Sequence, residues 1–199
     1  MLLKRPFLQN LIIPGIKVEP SHTTSNNDNI LRTINIQKIL FDKEQFIPLL
    51  SIADPSVNMI QSYLFKGELY VLSSNGQAIS AAVIISVGDK EFELKNLSTL
   101  YNQQKKGYGS ILLTKILELY SNADKIWVGT GSPGINKEEF YQISFDRYFP
   151  YKRFGFEYVY TIKDFFKNNY VEPIYEYNGL QCIDMVYLSY TPPHHNKKE

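Results

Sequence analysis

The sequence has 199 residues, with 21 basic and 20 acidic side chains and a formal net charge of +1 at pH 7. This balance argues against a chain built to coat nucleic acid or an anionic membrane. No apolar run approaches the roughly 18 to 20 residues that a membrane span needs. The single cysteine, Cys182, excludes an intrachain disulfide and a cysteine-rich zinc site. We therefore expect one α/β domain in a reducing compartment, the cytoplasm.

The first thirty residues are expected to lie outside that domain. Pro6 and Pro14 interrupt the apolar start, which argues against a secretory signal. An extension that packs on the domain or stays loose is the preferred interpretation, and an organellar transit segment stays open. The polar stretch 19–29 is typical of a linker. The expected divisions are residues 1–30 for extension and linker, 31–190 for the domain and 191–199 for a polar tail.

Hydrophobic patterning predicts the elements of the first half in chain order. Alternation over residues 30–40 predicts a strand. Residues 42–67 give two helical runs that split at Asp54-Pro55, with Asp54 as the cap of the second. Two β-rich runs over residues 68–87, joined by an Asn-Gly pair, predict a hairpin. Alternation over residues 91–100 predicts a further strand.

The second half continues with a helix and three strands. Apolar residues spaced i, i+4 and i+7 from Leu112 predict a helix that begins near Gly109. The nearly continuous apolar run 125–131 is typical of a strand buried on both faces. An aromatic helical segment follows over residues 138–154. Alternating runs then predict two strands, at residues 156–162 and 180–190.

The stretch "QQKKGYGSILL" (103–113) places two lysines and two glycines before the long helix. Main-chain N–H groups left bare at a helix start can close around an anion. An ordinary turn between a strand and a helix would also explain these residues. The stretch lacks the Gly-Lys-Ser/Thr ending of a Walker loop. It also lacks the third glycine of the dinucleotide fingerprint.

"NLSTLYNQQKKGYGSILL" resembles the acetyl-CoA motif of the GNAT superfamily of N-acetyltransferases. That motif runs from a strand through a Gln/Arg-x-x-Gly-x-Gly/Ala loop into a helix, and Gln104, Gly107 and Gly109 fill it. Further segments between Leu31 and Tyr190, "WVGTGS" and "YKRFGFE" among them, are similar to one bacterial subgroup of small GNAT enzymes. The resemblance implies an α/β (α+β) fold: a mixed, mostly antiparallel twisted sheet flanked by helices, with a splayed central strand pair that holds the cofactor.

The resemblance also implies acetyl-CoA as acetyl donor and no metal. Main-chain N–H groups of residues 105–110 would bind the pyrophosphate, and the two lysines would add charge, although they also fit a solvated loop. The pantetheine arm would lie between the splayed strands, with an N–H near Leu97 or Thr99 holding the thioester carbonyl. Pro133 lacks a donor that the family usually offers, and Asn136 could substitute. The implied cofactor-binding residues are Leu97, Ser98, Thr99, Gln104, Lys105, Lys106, Gly107, Tyr108, Gly109, Ser110 and Asn136.

Two catalytic residues follow from the resemblance. Tyr151 matches the family's general-acid tyrosine, although it also fits one more buried aromatic residue. Glu93 matches an acidic position and would be the base; a salt-bridged strand residue and a water relay stay open. Strand alternation places Glu93 on one face with Lys95 and Leu97.

The loop before the last strand offers acidic and aromatic side chains to an amine. The candidates for acceptor binding are Asp164, Tyr170, Glu172 and Glu176, and ordinary solvated loop charge explains them as well. Cys182 is expected to be a buried small hydrophobe. His194 and His195 lie in the polar tail, where we expect no metal role.

The sequence as a whole predicts an enzyme, an N-acetyltransferase that moves acetyl from acetyl-CoA to a primary amine by direct attack in a ternary complex. A non-catalytic module that binds acyl-CoA and a binder of nucleotide phosphates are the alternatives. The acceptor, a small molecule or a peptide amine, stays open. We expect no nucleic-acid or membrane partner, and a homodimer stays open.

Overall fold

The computed structural model describes residues 34–134, 148–175 and 179–193, with only the main chain for residues 148–150. The predicted N-terminal extension, and His194 and His195 of the tail, lie outside the described residues. The strands are β1 (Ile34–Ile39), β2 (Glu68–Ser74), β3 (Gln77–Gly88), β4 (Glu91–Thr99), β5 (Lys125–Ser132), β6 (Glu157–Ile162) and β7 (Asp184–Tyr190). The α-helices are α1 (Ile47–Leu50), α2 (Val57–Leu64), α3 (Tyr108–Leu119), α4 (Tyr148–Arg153) and α5 (Phe165–Asn169).

The strands form one sheet in the order β1-β2-β3-β4-β5-β7-β6. Every neighbouring pair is antiparallel except β4 and β5, which run parallel. The expected mixed, mostly antiparallel α/β sheet is therefore confirmed. The longest helix described has 12 residues, and none of the described helices is long and apolar enough to cross a membrane.

The hairpin of β2 and β3 is also confirmed, and its turn shows why. Asn75 and Gly76 have φ angles of 50° and 77°. Two consecutive left-handed residues match the right-handed twist of the flanking strands, and an Asn-Gly pair adopts them at low cost.

Helices cover both faces of the sheet. Phe46, Leu49, Ile60 and Leu64, from α1, α2 and the 3-10 turn before α1, are buried against β2 and β3 on one face. On the other face α3 buries Leu112, Leu113 and Ile116 against β2, β3, β4 and β5. The apolar spacing of α3 predicted this buried face, because side chains three and four residues apart share one side of a helix.

The predicted cap of α2 was wrong. The cap is Ser56, whose Oγ accepts a hydrogen bond from the N–H of Met59 at 3.3 Å. Asp54 lies two residues earlier, and its Oδ1 accepts from the N–H of Ser56 at 3.1 Å. The Asp54 carboxylate therefore holds the turn before the helix, and the Ser56 hydroxyl caps the helix itself.

Two predictions about the second half need adjustment. The first half of β5 is buried on one face only: Ile126 and Val128 are buried, while Lys125 and Trp127 are half-buried. The sheet face that carries Trp127 therefore stays partly open. The predicted helical segment 138–154 is helical from Tyr148 to Arg153, and its start lies outside the described residues.

Candidate functional site

A gap opens in the middle of the sheet between β4 and β5. The two strands pair only from Glu91 with Lys125 to Leu94 with Val128. Beyond those positions β4 continues to Thr99 and β5 to Ser132 without pairing with each other. The sheet order places these two strands at its centre, so the gap is flanked by strands on both sides.

A β-bulge in β4 marks the point where the gap begins. Against β3, the register passes from Leu94 opposite Ile84 to Asn96 opposite Val83, so Lys95 has no partner on β3. An extra residue bends a strand and shifts its alternation by one position. For this reason Leu97 packs on the α3 face together with Leu94. The predicted common face of Glu93, Lys95 and Leu97 was wrong for Leu97.

The main chain of β4 beyond the bulge points into the gap at alternate residues. The N–H of Leu100 donates to the carbonyl of Ile79, in β3, at 2.9 Å. Alternation along a strand turns the main-chain groups of Leu97 and Thr99 the other way, toward β5. Ser98 is buried and its carbonyl accepts from the Ser80 hydroxyl on the β3 side. Leu97 therefore offers its N–H and C=O groups, and Thr99 its N–H group, to an extended ligand in the gap.

The glycine loop connects the open end of β4 to α3. Gly107 precedes the first helical residue and has a φ of +88°, and a Cβ atom there would meet nothing within 4 Å. Lys105 also adopts a left-handed φ, of 62°. The Nε2 of Gln104 donates to the carbonyl of Thr99 at 3.1 Å. The loop thus folds back on the mouth of the gap and leaves open space at the start of α3.

Close packing between the helix start and β4 depends on Gly109. A Cβ atom on Gly109 would lie 3.2 Å from Oγ1 of Thr99. That hydroxyl also shares a hydrogen bond with the Ser80 hydroxyl at 2.9 Å. The absence of a side chain at Gly109 brings the N-terminus of α3 against the strand that lines the gap.

Cationic side chains surround the helix start, and one of them is a residue that the sequence did not single out. The Arg153 guanidinium, from α4, hydrogen bonds to Oγ of Ser110 in the first turn of α3. The ammonium of Lys106 donates to Oε1 of Gln103 at 3.2 Å and is exposed. The end of α3 that carries a partial positive charge is therefore flanked by basic groups, which favours an anionic ligand.

Tyr151, the candidate acid, lies in α4 and is half-buried. Its ring packs on the α3-side core and meets the ring of Phe156 edge-on, with centroids 5.6 Å apart. Its carbonyl accepts from the N–H groups of Phe154 and Phe156 at 3.0 and 3.1 Å. The turn after α4 therefore fixes the position of this tyrosine.

Glu93, the candidate base, is buried next to the bulge. Its Oε1 accepts from the Lys95 ammonium at 2.9 Å and from the Tyr187 hydroxyl at 3.1 Å. Burial, reinforced by the Glu93 charge, raises the pKa of Tyr187 above its ordinary value. The same two causes raise the pKa of Tyr160, whose ring stacks on Tyr187 with centroids 4.9 Å apart.

A second carboxylate, Asp54, was predicted only as a helix cap. It is half-buried, and it accepts from the hydroxyls of Tyr170 at 3.3 Å and Tyr63 at 3.4 Å. Tyr63 in turn accepts from Asn96, the residue after the bulge, at 3.0 Å. Burial raises the pKa of the Asp54 carboxyl, against the lowering effect of its hydrogen bonds and of Lys95. We call Asp54, Tyr63, Glu93, Lys95, Tyr170 and Tyr187 the carboxylate cluster.

The predicted acceptor-binding residues divide into three groups. Tyr170 contacts the carboxylate cluster. Asp164 precedes α5, where its N–H donates to Asp184 at 2.9 Å, and Glu172 is exposed in the loop that follows. Glu176 and the proposed cofactor ligand Asn136 lie outside the described residues.

Cys182 is a buried thiol, as predicted. A Cβ atom on Gly131 would lie 2.7 Å from its Sγ, so the two chain segments pack tightly there. Among the described residues, no group of three or more His, Cys, Asp and Glu side chains is placed to hold a metal ion.

Known proteins are similar to this chain in sequence and in fold, although no protein-family model matches the sequence. The uncharacterized N-acetyltransferase YvbK of Bacillus subtilis (strain 168) is 31% identical over 162 residues, which cover 78% of this chain and 97% of the relative. A crystal structure of a GNAT family acetyltransferase from Elizabethkingia anophelis, with acetyl-CoA bound, is 32% identical with a TM-score of 0.68. It covers 79% of this chain and 97% of its own.

A crystal structure of a Bacillus subtilis acetyltransferase in complex with CoA gives the same picture. It is 30% identical with a TM-score of 0.67 and covers 80% of this chain and 99% of its own. Proteins that share only a fold can have lower sequence identity than these relatives have with this chain. The chain belongs to the GNAT family of acetyltransferases.

Proposed function

We propose that this protein transfers the acetyl group of acetyl-CoA to a primary amine by direct attack in a ternary complex. The observation that carries the proposal is the gap between β4 and β5, which opens onto the glycine loop at the start of α3. A gap between two strands that have separated accommodates an extended arm, and a helix start accommodates a phosphate. An acyl-CoA molecule combines these two parts.

The loop and the strand have separate tasks in this proposal. Main-chain N–H groups of residues 105–110 bind the pyrophosphate, in the open space above Gly107. The pantetheine arm pairs with the main chain of Leu97 and Thr99. One of these N–H groups then faces the thioester oxygen, where negative charge develops as the amine attacks.

Three proton transfers complete the reaction. An alkyl ammonium has a pKa of about 10 and must lose a proton before its nitrogen can attack the thioester carbon. Glu93 takes that proton, directly or through water. Once the C–N bond has formed, the nitrogen loses a second proton to water, and Tyr151 protonates the CoA thiolate that leaves when the C–S bond breaks. The hydrogen bonds of Glu93 to Lys95 and Tyr187 support the role by fixing its orientation. A water relay that bypasses Glu93 is the alternative.

The first experiment measures binding by titration calorimetry with acetyl-CoA, CoA, ATP and NAD. We expect saturable binding of both CoA forms, and we expect Gly107→Glu to abolish it. Preference for ATP or NAD would favour a nucleotide-phosphate binder. The second experiment measures CoA thiol release with a panel of primary amines. Binding without release for any amine would favour a non-catalytic acyl-CoA module.

The acceptor is a small molecule or a peptide amine in this proposal. The cytoplasmic location predicted from the single cysteine remains a prediction.

A further inference from the structure

The negative charges of the two carboxylates in the carboxylate cluster are compensated by different groups. Glu93 is buried, and the ammonium of Lys95 lies 2.9 Å from its Oε1. An ion pair at this distance largely neutralises the Glu93 charge toward other ligands. Glu93 therefore attracts a second cation less strongly than a carboxylate without an ion pair would.

Asp54 receives hydrogen bonds from neutral donors instead, and the Lys95 charge acts on it without a hydrogen bond. Two phenol hydroxyls and the N–H of Ser56 donate to its oxygens, at 3.3, 3.4 and 3.1 Å. Neutral donors orient a carboxylate without cancelling its charge. The cluster contains two carboxylates and one ammonium, so with all three ionised it carries one net negative charge, and Asp54 is the carboxylate outside the Lys95–Glu93 ion pair. Because Asp54 is half-buried, a ligand can reach it.

A row of aromatic side chains extends from the cluster along the same sheet face. The ring of Tyr160 stacks on the ring of Tyr187, with centroids 4.9 Å apart. The ring centroids of Trp127 and Tyr160 lie 6.3 Å apart. Trp127 and Tyr187 are half-buried, and 41% of Tyr160 is exposed. Partly exposed rings of this kind offer an apolar surface to the body of a ligand.

We infer that the acceptor is a singly charged primary amine with an apolar body, that Asp54 binds its ammonium group, and that the aromatic row packs against the body. This inference rests on the proposed acetyl transfer and names the substrate class of that same site. One net negative charge matches one ammonium group. A polyamine would bring further charges that the cluster does not neutralise, at a cost in desolvation.

A binding measurement tests the inference without requiring turnover. Trp127 is the single tryptophan of the chain, so its fluorescence reports on the aromatic row. We would titrate 2-phenylethylamine into the protein saturated with CoA. We expect a saturable fluorescence change, and a Kd raised at least about tenfold by Asp54→Asn, since hydrogen bonds to charged groups are worth that much or more. Asp124→Asn, at an exposed position before β5, is the matched control and should leave the Kd unchanged.

Two further ligands distinguish the contribution of the ammonium charge to binding from that of the apolar body. 2-Phenylethanol has the same ring without the ammonium group, and spermidine has several ammonium groups without the ring. We expect both to bind at least about tenfold more weakly than 2-phenylethylamine. Equal or tighter binding of spermidine, no binding of 2-phenylethylamine, or a Kd that Asp54→Asn leaves unchanged would overturn the inference.

Turnover distinguishes this result from the proposed function. Asp54-dependent binding of 2-phenylethylamine without CoA release would sustain the inferred ligand class and contradict acetyl transfer. CoA release with spermidine but not with 2-phenylethylamine would support acetyl transfer and contradict the inferred ligand class. With release from 2-phenylethylamine, we expect Asp54→Asn to raise KM more than it lowers kcat, because Asp54 acts in recognition.

Discussion

The Tyr187 hydroxyl on β7 donates to Oε1 of Glu93 on β4 across 3.1 Å, although β5 lies between these two strands. Gly129 of β5 makes this reach possible. It pairs with Tyr187, and a Cβ atom on it would lie 3.3 Å from Cζ of Tyr187 and 3.0 Å from Sδ of Met185. The missing side chain on β5 thus allows the tyrosine to lean across the strand to the candidate base.

We predict that Gly129→Ala displaces Tyr187 from Glu93 without removing any hydrogen-bonding group. The added methyl group overpacks the site, which typically costs about 1 to 3 kcal/mol of unfolding free energy. Urea denaturation measures this loss, and steady-state kinetics should show a lower kcat. Tyr187→Phe, which removes the hydroxyl alone, should lower kcat in the same direction. A Gly129→Ala variant with wild-type kcat would show that the Tyr187–Glu93 contact has no part in the reaction.

Glu93→Gln tests the base directly. General base catalysis contributes about 10²- to 10⁴-fold, so we expect kcat to fall by at least about a hundredfold while the Kd for acetyl-CoA stays within about twofold. A normal kcat with reduced stability would instead identify Glu93 as a structural partner of Lys95 and would favour the water relay.

Tyr151→Phe keeps the ring and removes the acidic hydroxyl. Because the ring packs against Phe156, we expect the fold to tolerate the change. The kcat should fall by at least about a hundredfold with an unchanged Kd for acetyl-CoA. An acceptor that releases CoA equally fast from both proteins would exclude Tyr151 as the acid. Tyr158→Phe, on neighbouring β6, is the matched control for loss of a tyrosine hydroxyl and should retain the kcat.

The two glycines of the loop should respond differently to alanine. Gly107 has a φ of +88° and open space around its missing Cβ, so Gly107→Ala adds backbone strain of about 1 kcal/mol without a clash. Gly109→Ala gains helix propensity but presses on Oγ1 of Thr99. We expect a larger loss of stability for Gly107→Ala, and weaker acetyl-CoA binding for Gly109→Ala. Chemical denaturation and calorimetric titration of both variants measure these effects.

Asp54 should reduce stability at neutral pH. Burial raises the pKa of its carboxyl above the ordinary value of 3.8. An acid with a raised folded pKa binds more protons in the folded state, so its contribution to stability falls as pH rises from 3.8 through the folded pKa. We expect Asp54→Asn to have a higher Tm than the wild type at pH 7 and no such advantage below pH 3.8. A lower Tm at pH 7 would show that its hydrogen bonds outweigh the cost of burial.

Local patterns in the sequence predicted the order of elements and the cofactor loop. The Asn75-Gly76 pair predicted the hairpin because only a few residues accept two left-handed conformations in succession. The apolar spacing from Leu112 predicted the buried face of α3. Gly107 and Gly109 predicted a helix start with space for an anion. Each of these signals depends on the conformational preferences of residues close together in the chain.

Contacts between distant residues required the tertiary structure. The Tyr170 hydroxyl hydrogen bonds to Asp54, which is 116 residues away in the sequence. The residues next to Asp54 in the sequence predicted a helix cap instead. The bulge at Lys95 reversed the expected face of Leu97, because alternation predicts faces only along an uninterrupted strand. Tyr187 reaches Glu93 only because Gly129 lies between them. The sequence by itself determined which elements form and predicted where an anion binds. The packing of strands against one another decided which carboxylate forms the ion pair with Lys95, since compensation depends on partners brought together in space.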